Sequence, residues 1–201
     1  MDTSVTTTKK IKVDELAVAV AATQAEVNAM TSTNTLLTPN INTIVLSTEQ
    51  ASTSGTAIDF TGIPAGVRRI TVMFDQVSLS GTDNFLVQIG DAGGIENTGY
   101  ISGSITIVPT ATLSTSTAGL VIRAGTAART HSGTMVLNLE DSAAFTWVAS
   151  HVVVKDNAGT ADDIITGSGI KALSAELTQI RITRTGTDTF DAGAVNIQIE
   201  R

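Results

Sequence analysis

The feature that most constrains the fold of this chain is an alternation of polar and apolar residues, which dominates the sequence beyond about residue 43. Two clear stretches are 69–74 and 134–139, where apolar residues recur at every second position. Successive side chains of a β-strand point to opposite faces of the sheet, so a period of two is typical of strands with one buried face. We expect 43–201 to consist mainly of strands.

Turn-forming Gly, Asp, Asn and Ser residues separate the alternating stretches. The predicted strands lie near 43–49, 56–60, 68–79, 84–90, 103–108, 118–123, 133–140, 145–154, 177–185 and 193–199. No segment with a helical period interrupts them, which disfavours parallel βαβ units. The sequence therefore predicts a mainly β protein, with an antiparallel β-sandwich of jelly-roll-like type over 43–201.

Composition limits how such a sandwich can be filled. The chain has 201 residues, of which 42% are hydrophobic but only 3% aromatic. This length fits one domain with a short appendage. The core must consist of Val, Ile, Leu and Ala, so large aromatic-lined ligand pockets are not expected.

Charge and cysteine usage exclude several kinds of partner and site. The formal net charge is −7, and no basic cluster is longer than the pairs Lys9–Lys10 and Arg68–Arg69, so nucleic acid is not expected as a partner. The absence of cysteine excludes disulfides and thiolate metal sites. No apolar run approaches the roughly 20 residues that span a bilayer, and no secretory signal is visible. We expect no membrane insertion, and synthesis in a cytoplasm.

The first 42 residues have a different pattern and are predicted to form a separate attachment segment. Residues 1–10 have no apolar period and are expected to be a tail that docks onto a partner. From about 11 to 30, apolar residues occupy heptad positions and predict an amphipathic helix. These helix residues, candidates for a trimerisation stripe, are Val13, Leu16, Val20, Val27 and Met30. Alternatively, the helix packs on its own β-domain. Pro39 then makes 30–40 a natural hinge.

Catalytic motifs are missing from this sequence. No nucleophile elbow, phosphate-binding loop, dinucleotide fingerprint or zinc-protease motif occurs, and His131 and His151 are the only imidazoles. We interpret His131 as a turn residue and His151 as structural or at the surface. Paired carboxylates such as Asp188 and Asp191 leave a small glycan-active enzyme as the least favoured alternative. We expect no enzymatic activity, cofactor or metal.

Surface recognition is the remaining functional signal, because loops on a rigid β-scaffold commonly carry binding groups. The candidate receptor-binding residues are Tyr100, Trp147, His151 and Asn157. In a chain so poor in aromatics, Trp147 beside His151 and Asn157 would form a platform on which a sugar ring stacks. The alternative, which we favour, is that Phe145 and Trp147 face inward and anchor the core.

Two parts of the sequence resemble virion proteins of tailed bacteriophages. The run Ala-Thr-Gln-Ala-Glu-Val at 22–27, continuing to Leu-Thr-Pro at 37–39, resembles the linker that recurs in phage tail fibres between an attachment segment and a distal β-domain. The stretch at 53–74 and the ending at 173–199 resemble a recurrent β-domain of tail fibres and other virion proteins. Together these stretches span most of the chain.

The resemblance implies a short homotrimeric tail fibre located in the virion tail. Residues 1–40 would attach to the tail or baseplate, and the β-domain would recognise a host surface polysaccharide or lipopolysaccharide. Trimer formation is also expected because β-branched, Ala-rich faces with few aromatics often need neighbouring subunits to complete their burial. A trimeric head fibre or capsid decoration protein is the alternative.

Overall fold

The computed structural model describes residues 44–107, 111–159 and 162–201. Within these ranges the secondary structure consists of strands without a helix, and every strand pair is antiparallel. The prediction of a mainly β, antiparallel fold is confirmed. The predicted helix with its stripe from Val13 to Met30, and the linker after it, lie outside the described residues.

Fourteen strands lie in the described part of the chain. They are β1 (Ile44–Leu46), β2 (Gln50–Ala51), β3 (Ile58–Thr61), β4 (Arg69–Leu79), β5 (Phe85–Asp91), β6 (Gly94–Ile95), β7 (Ile101–Ile107), β8 (Thr112–Ser116), β9 (Leu120–Ile122), β10 (His131–Asp141), β11 (Thr146–Lys155), β12 (Asp163–Ala172), β13 (Gln179–Arg184) and β14 (Phe190–Glu200). All ten predicted strands are present.

The strands form two sheets that share one hydrophobic core. The larger sheet has the order β1-β14-β4-β10-β11-β12-β7-β8, with β2 also paired to β14. The smaller sheet has the order β3-β13-β5-β6, with β9 also paired to β5. Buried residues of both sheets, such as Ile70 and Leu137 of the larger and Val87 and Ile180 of the smaller, belong to a single cluster. Its side chains are mostly aliphatic, as the composition predicts.

The prediction missed one long strand, β12, and three short ones, β2, β6 and β8. In β12 the run Thr-Gly-Ser-Gly at 166–169 looks like a turn. In the structure these glycines lie within the strand and are required by close contacts with neighbouring strands. A Cβ at Gly167 would collide with the backbone of β7 and the ring of His151, and a Cβ at Gly169 would meet Leu120. Close packing inside the sandwich therefore requires glycine where the sequence indicated a break.

Strand β7 turns its polar residues inward and its apolar residues outward. Ser102, Ser104 and Thr106 are buried, whereas Ile101 and Ile107 are exposed. The buried serines have a structural task. The Ser102 hydroxyl accepts a hydrogen bond from the Val121 N–H at 2.8 Å, and the Ser104 hydroxyl accepts one from the Arg123 N–H at 3.0 Å. Because β9 belongs to the smaller sheet, these bonds join the two sheets and fix which face of β7 points inward.

We expect Ser102→Ala to lower the free energy of unfolding by about 1–3 kcal/mol, because the buried Val121 N–H would lose its acceptor. The control is Ser54→Ala in the exposed loop between β2 and β3, which should change the free energy of unfolding by less than about 0.5 kcal/mol. Urea unfolding of both variants measures the difference. Equal losses in the two variants would contradict the role assigned to Ser102.

The strand registers define two opposite ends of the domain. One transverse row of the larger sheet contains Ile44, Glu200, Arg69, Asn138 and Val148, and it continues to β12 and β7 at Ile170 and Ile101. We call this the Ile44 end, because the chain enters the described domain there. The opposite end, the loop end, carries the connections at 80–84, 123–130, 156–159 with Asp162, and 185–189.

Candidate recognition loops and the predicted site residues

The structure does not bring the four predicted receptor-binding residues to one surface. Tyr100, Trp147 and His151 are 1%, 2% and 3% exposed, respectively, and therefore lie in the interior. Tyr100 and Trp147 lie near the Ile44 end, His151 points inward from the middle of β11, and Asn157 belongs to the loop end. The prediction of a sugar-stacking platform formed by Trp147, His151 and Asn157 is wrong, because stacking needs an exposed ring face and the Trp147 ring is buried. The favoured alternative, an inward Trp147, is confirmed.

Tyr100 has a definite structural function. Its hydroxyl accepts a hydrogen bond from the Ile89 N–H at 2.8 Å and donates to the Glu96 carbonyl at 2.9 Å. Burial raises the pKa of this phenol, so it remains protonated and able to donate. The ammonium group of Lys171 forms an ion pair with Glu96 and lies 5.4 Å from the Tyr100 ring centre. Tyr100 thus anchors the segment between β6 and β7.

Both histidines are buried and neutral. His131 begins β10 rather than lying in a turn, so that prediction is wrong. Its Nδ1 is 3.3 Å from the Val77 carbonyl oxygen, and its ring meets Phe85 edge to face. The His151 Nε2 lies 3.0 Å from the Ser104 hydroxyl. Desolvation lowers the pKa of each imidazole to about 4. Both rings therefore serve as packing groups near neutral pH.

The carboxylates considered for glycan chemistry are engaged in local contacts. Asp191 accepts a hydrogen bond from the Ser78 hydroxyl, and Asp163 forms an ion pair with Lys155 at 2.7 Å. Asp141 accepts from the Ala143 N–H at 2.7 Å and thereby closes the β10–β11 turn. Among the described residues no group of His, Asp or Glu is arranged to hold a metal ion.

A cleft of about 160 Å³ opens at the Ile44 end. It is lined by Gly66, Val67, Arg68, Leu139, Ser142, Phe145, Trp147, Glu176 and Leu177. The Glu176 carboxylate accepts a hydrogen bond from the Gly66 N–H at 2.6 Å, which ties the 62–68 connection to the loop after β12. Because Trp147 is almost fully buried, this cleft offers no flat indole face to a pyranose.

The loop end holds four connections in one hydrogen-bonded group. The Ser80 N–H donates to the Thr189 carbonyl at 2.9 Å, and the Ala128 N–H donates to the Leu79 carbonyl at 3.1 Å. The Asp156 N–H donates to the Thr130 carbonyl at 3.0 Å. Neighbouring loops are therefore linked in the order 185–189, 80–84, 123–130 and 156–159. A surface made from several linked loops is suited to recognition, since each loop holds its neighbour in position.

Two aspartates form a reciprocal pair within this group. The Asp83 N–H donates to the Asp188 carboxylate at 2.8 Å, and the Asp188 N–H donates to the Asp83 carboxylate at 2.9 Å. Gly81 and Gly186 permit this approach, because a Cβ at either position would collide with the facing carboxylate. The turns carrying Asp83 and Asp188 are thus locked together. Sequence spacing could not indicate this pair, since 105 residues separate its members.

Asn157 is the predicted recognition residue that the structure places at the loop end. Its backbone N–H donates to the Asp162 carboxylate at 3.2 Å, and Ala158 beside it has a positive φ of 51°. Arg123 and Arg129 belong to the neighbouring loop, which also presents exposed Thr126. Amide, hydroxyl and guanidinium groups are donors that bind hydroxylated or anionic ligands.

No family model, curated protein or solved structure matches this chain. Among the described residues no helix is long and apolar enough to cross a membrane.

We predict that the buried histidines make the domain acid-sensitive. Both pKa values are lowered on folding, so below about pH 6.5 the unfolded state binds protons that the folded state does not. Between pH 7 and pH 5 the free energy of unfolding should fall by about 2 kcal/mol for each histidine, and this loss should level off below the folded pKa values. Chemical denaturation across this range measures it.

The variant His151→Gln should roughly halve the pH dependence, because only His131 would remain. Asp91 and Glu96 contribute little in this window, because folding lowers their pKa values from ordinary values that already lie below pH 5. A stability that stays constant from pH 7 to pH 5 would show that the imidazoles are not held in the neutral form.

Proposed function

We propose that this protein is a structural protein of a bacteriophage virion, a short homotrimeric tail fibre. Residues 1–40 attach it to the tail or baseplate, and the β-domain recognises a polysaccharide or lipopolysaccharide of the host surface. The proposal joins the fibre-like linker at 22–39 to the architecture of the described domain.

One observation carries the proposal: the chain enters the domain at Ile44, and the linked loops lie at the opposite end. A fibre domain needs this polarity, because the end that continues from the attachment segment cannot also be the end that meets the host. Residues 185–189 and 123–130 belong to the far end, together with Asn157. We therefore assign recognition to the loop end.

The strand order supports a jelly roll. The strands β1, β14, β4 and β10 form one four-stranded unit, and β3, β13, β5 and β9 form the facing unit. Successive strands β3, β4 and β5 alternate between the units, and β13 and β14 do the same, as in a jelly roll. Jelly rolls occur in viral capsid and lectin domains. This likeness concerns architecture alone, and the function depends on the loops.

The first test is the solution mass of the full chain by light scattering. A homotrimer has three times the chain mass of 20.7 kDa. We expect this value, and the mass of a single chain would contradict the fibre proposal.

The second test examines the loop end with an array of bacterial surface polysaccharides and lipopolysaccharides. Trimers bind such arrays through several weak sites, so losing one donor in each site should have a large combined effect. We expect Asn157→Ala and Arg129→Ala each to reduce retention at least about tenfold.

The matched control is Arg68→Ala, which removes an exposed arginine at the Ile44 end and should leave retention unchanged. Circular dichroism confirms that each variant remains folded. If Asn157→Ala and Arg129→Ala were retained on the array as well as the natural chain and Arg68→Ala, the loop end would be excluded as the recognition surface. Loss in Arg68→Ala alone would place recognition at the Ile44 end instead.

A further inference from the structure

The outward faces of β11, β12, β7 and β8 form one uncharged surface rich in exposed aliphatic side chains, which we call the isoleucine face. A row of Ser150, Ser168, Gly103 and Thr115 crosses it. Side chains on adjacent strands are aligned by the registers: Ile105 faces Leu113 on one side and Thr166 on the other, and Thr166 faces Val152. The row at one end joins Ile107, Ile164 and Val154, and the row at the other joins Ile101, Ile170 and Val148.

Six large apolar members of this face have exposed fractions between 38% and 74%. They are Ile101, Ile107, Leu113, Val152, Ile164 and Ile170. The other large exposed apolar residues among those described belong to the edge strand β1. The six side chains together expose several hundred Å² of apolar surface, comparable to the largest patch of a typical monomer, roughly 300–600 Å².

The register of β7, which places its isoleucines on the outer surface, is fixed by specific hydrogen bonds. A shift of β7 by one residue would bury Ile101, Ile105 and Ile107 and expose the serines, which is the ordinary arrangement for a sandwich. The hydrogen bonds from the Val121 and Arg123 N–H groups to Ser102 and Ser104 prevent that shift. The fold therefore keeps branched apolar side chains on its outer surface, and burial by a partner would offset the cost of their exposure.

Charge distinguishes this surface from the rest of the same sheet face. Near β14 and β4 the outward side chains include Glu200, Arg69, Asn196 and Gln198. The paired outward positions of β11, β12, β7 and β8 contain no Asp, Glu, Lys or Arg. Chains with a net charge of −7 repel one another, so a face without charge is where two copies approach at the least electrostatic cost.

The dimensions of the face favour a second sheet over a single helix. Four strands spaced about 4.8 Å apart form a wide, flat surface. A helix about 10 Å across would cover roughly two of these strands. In a homotrimer the three isoleucine faces would surround the threefold axis, so that each face contacts both neighbours, and a stable interface buries about 800 Å² on each partner. The isoleucine face, including the Ser and Thr side chains that lie among its aliphatic residues, supplies an area of this order.

We propose that the isoleucine face is the surface through which copies of this chain pack against one another. This inference rests on the homo-oligomeric part of the proposed function and assigns the contact to β11, β12, β7 and β8. Assembly energy then resides in the β-domain, whether or not the predicted helix with Val13, Leu16, Val20, Val27 and Met30 contributes.

The test places one charge within the face in the full chain, at Val152 in the row that continues through Thr166 and Ile105. Val152→Glu should convert the trimer to a folded monomer, because three carboxylates would be buried in an apolar contact. Thr71→Glu is the control, since Thr71 points outward from β4 in the same sheet but outside the isoleucine face. Its mass should remain that of a trimer. A trimer in Val152→Glu would overturn the inference and leave the homotrimer itself intact.

A labelling experiment covers the possibility that Val152→Glu does not fold. The chain has no cysteine, so Val152→Cys and Thr71→Cys each carry a single thiol. Val152 is 58% exposed in the isolated chain and Thr71 only partly exposed, so an uncovered face predicts faster maleimide labelling of Val152→Cys than of the control Thr71→Cys. In the native assembly we expect the reverse, with the Val152→Cys thiol at least about tenfold slower.

Three outcomes have distinct meanings. Slow labelling in Val152→Cys together with a monomeric Val152→Glu supports packing between copies. Slow labelling with a trimeric Val152→Glu would overturn it, in favour of cover by the chain's own N-terminal segment. A monomeric natural chain would contradict the homotrimer of the proposed function and this inference together.

Discussion

The hydrogen bonds from the backbone of β9 and the residue after it to Ser102 and Ser104 determine much of the rest of this structure. They attach the edge of the smaller sheet to the inner face of the larger one. A strand that provides hydroxyl groups for this attachment must turn them inward, and alternation then sends its remaining side chains outward. The pattern of β7, the need for glycine at Gly167 in β12 and the apolar outer surface are therefore related consequences of one joint between sheets.

The alternation in the sequence was sufficient to locate the ten predicted strands, but not to say which face of each is buried. In β4 the apolar residues Ile70 and Val72 face the core, whereas in β7 the isoleucines face outward. Both strands have the same period, and the difference arises from contacts with β9, which belongs to the other sheet. Periodicity is a local signal, so it cannot distinguish these cases. For the same reason β12 was missed, because its glycines satisfy a packing requirement set by β7 and His151.

The candidate site illustrates a similar limit. A scarcity of aromatic residues made Trp147 and Tyr100 attractive as binding groups, yet a small core uses its few large rings internally. Tyr100 was unidentifiable as an anchor from sequence, since its partners Ile89 and Glu96 become neighbours only through the turn at β6. Asn157 was placed correctly in a loop because Asp, Asn and Gly cluster there. The locking of the 80–84 and 185–189 connections depends on contacts between segments about a hundred residues apart, beyond the reach of any local pattern.

The position of β14 has a consequence for how the protein is made. This last described strand lies between β1 and β4, two strands that come early in the described sequence. During synthesis β1 has no neighbour until residues near 200 have left the ribosome, and β3 waits similarly for β13. Contacts of such long sequence separation form slowly. Folding of the domain therefore waits until β13 and β14 have been synthesised, and a chain stalled before them would leave the edges of β4 and β5 open to mispairing.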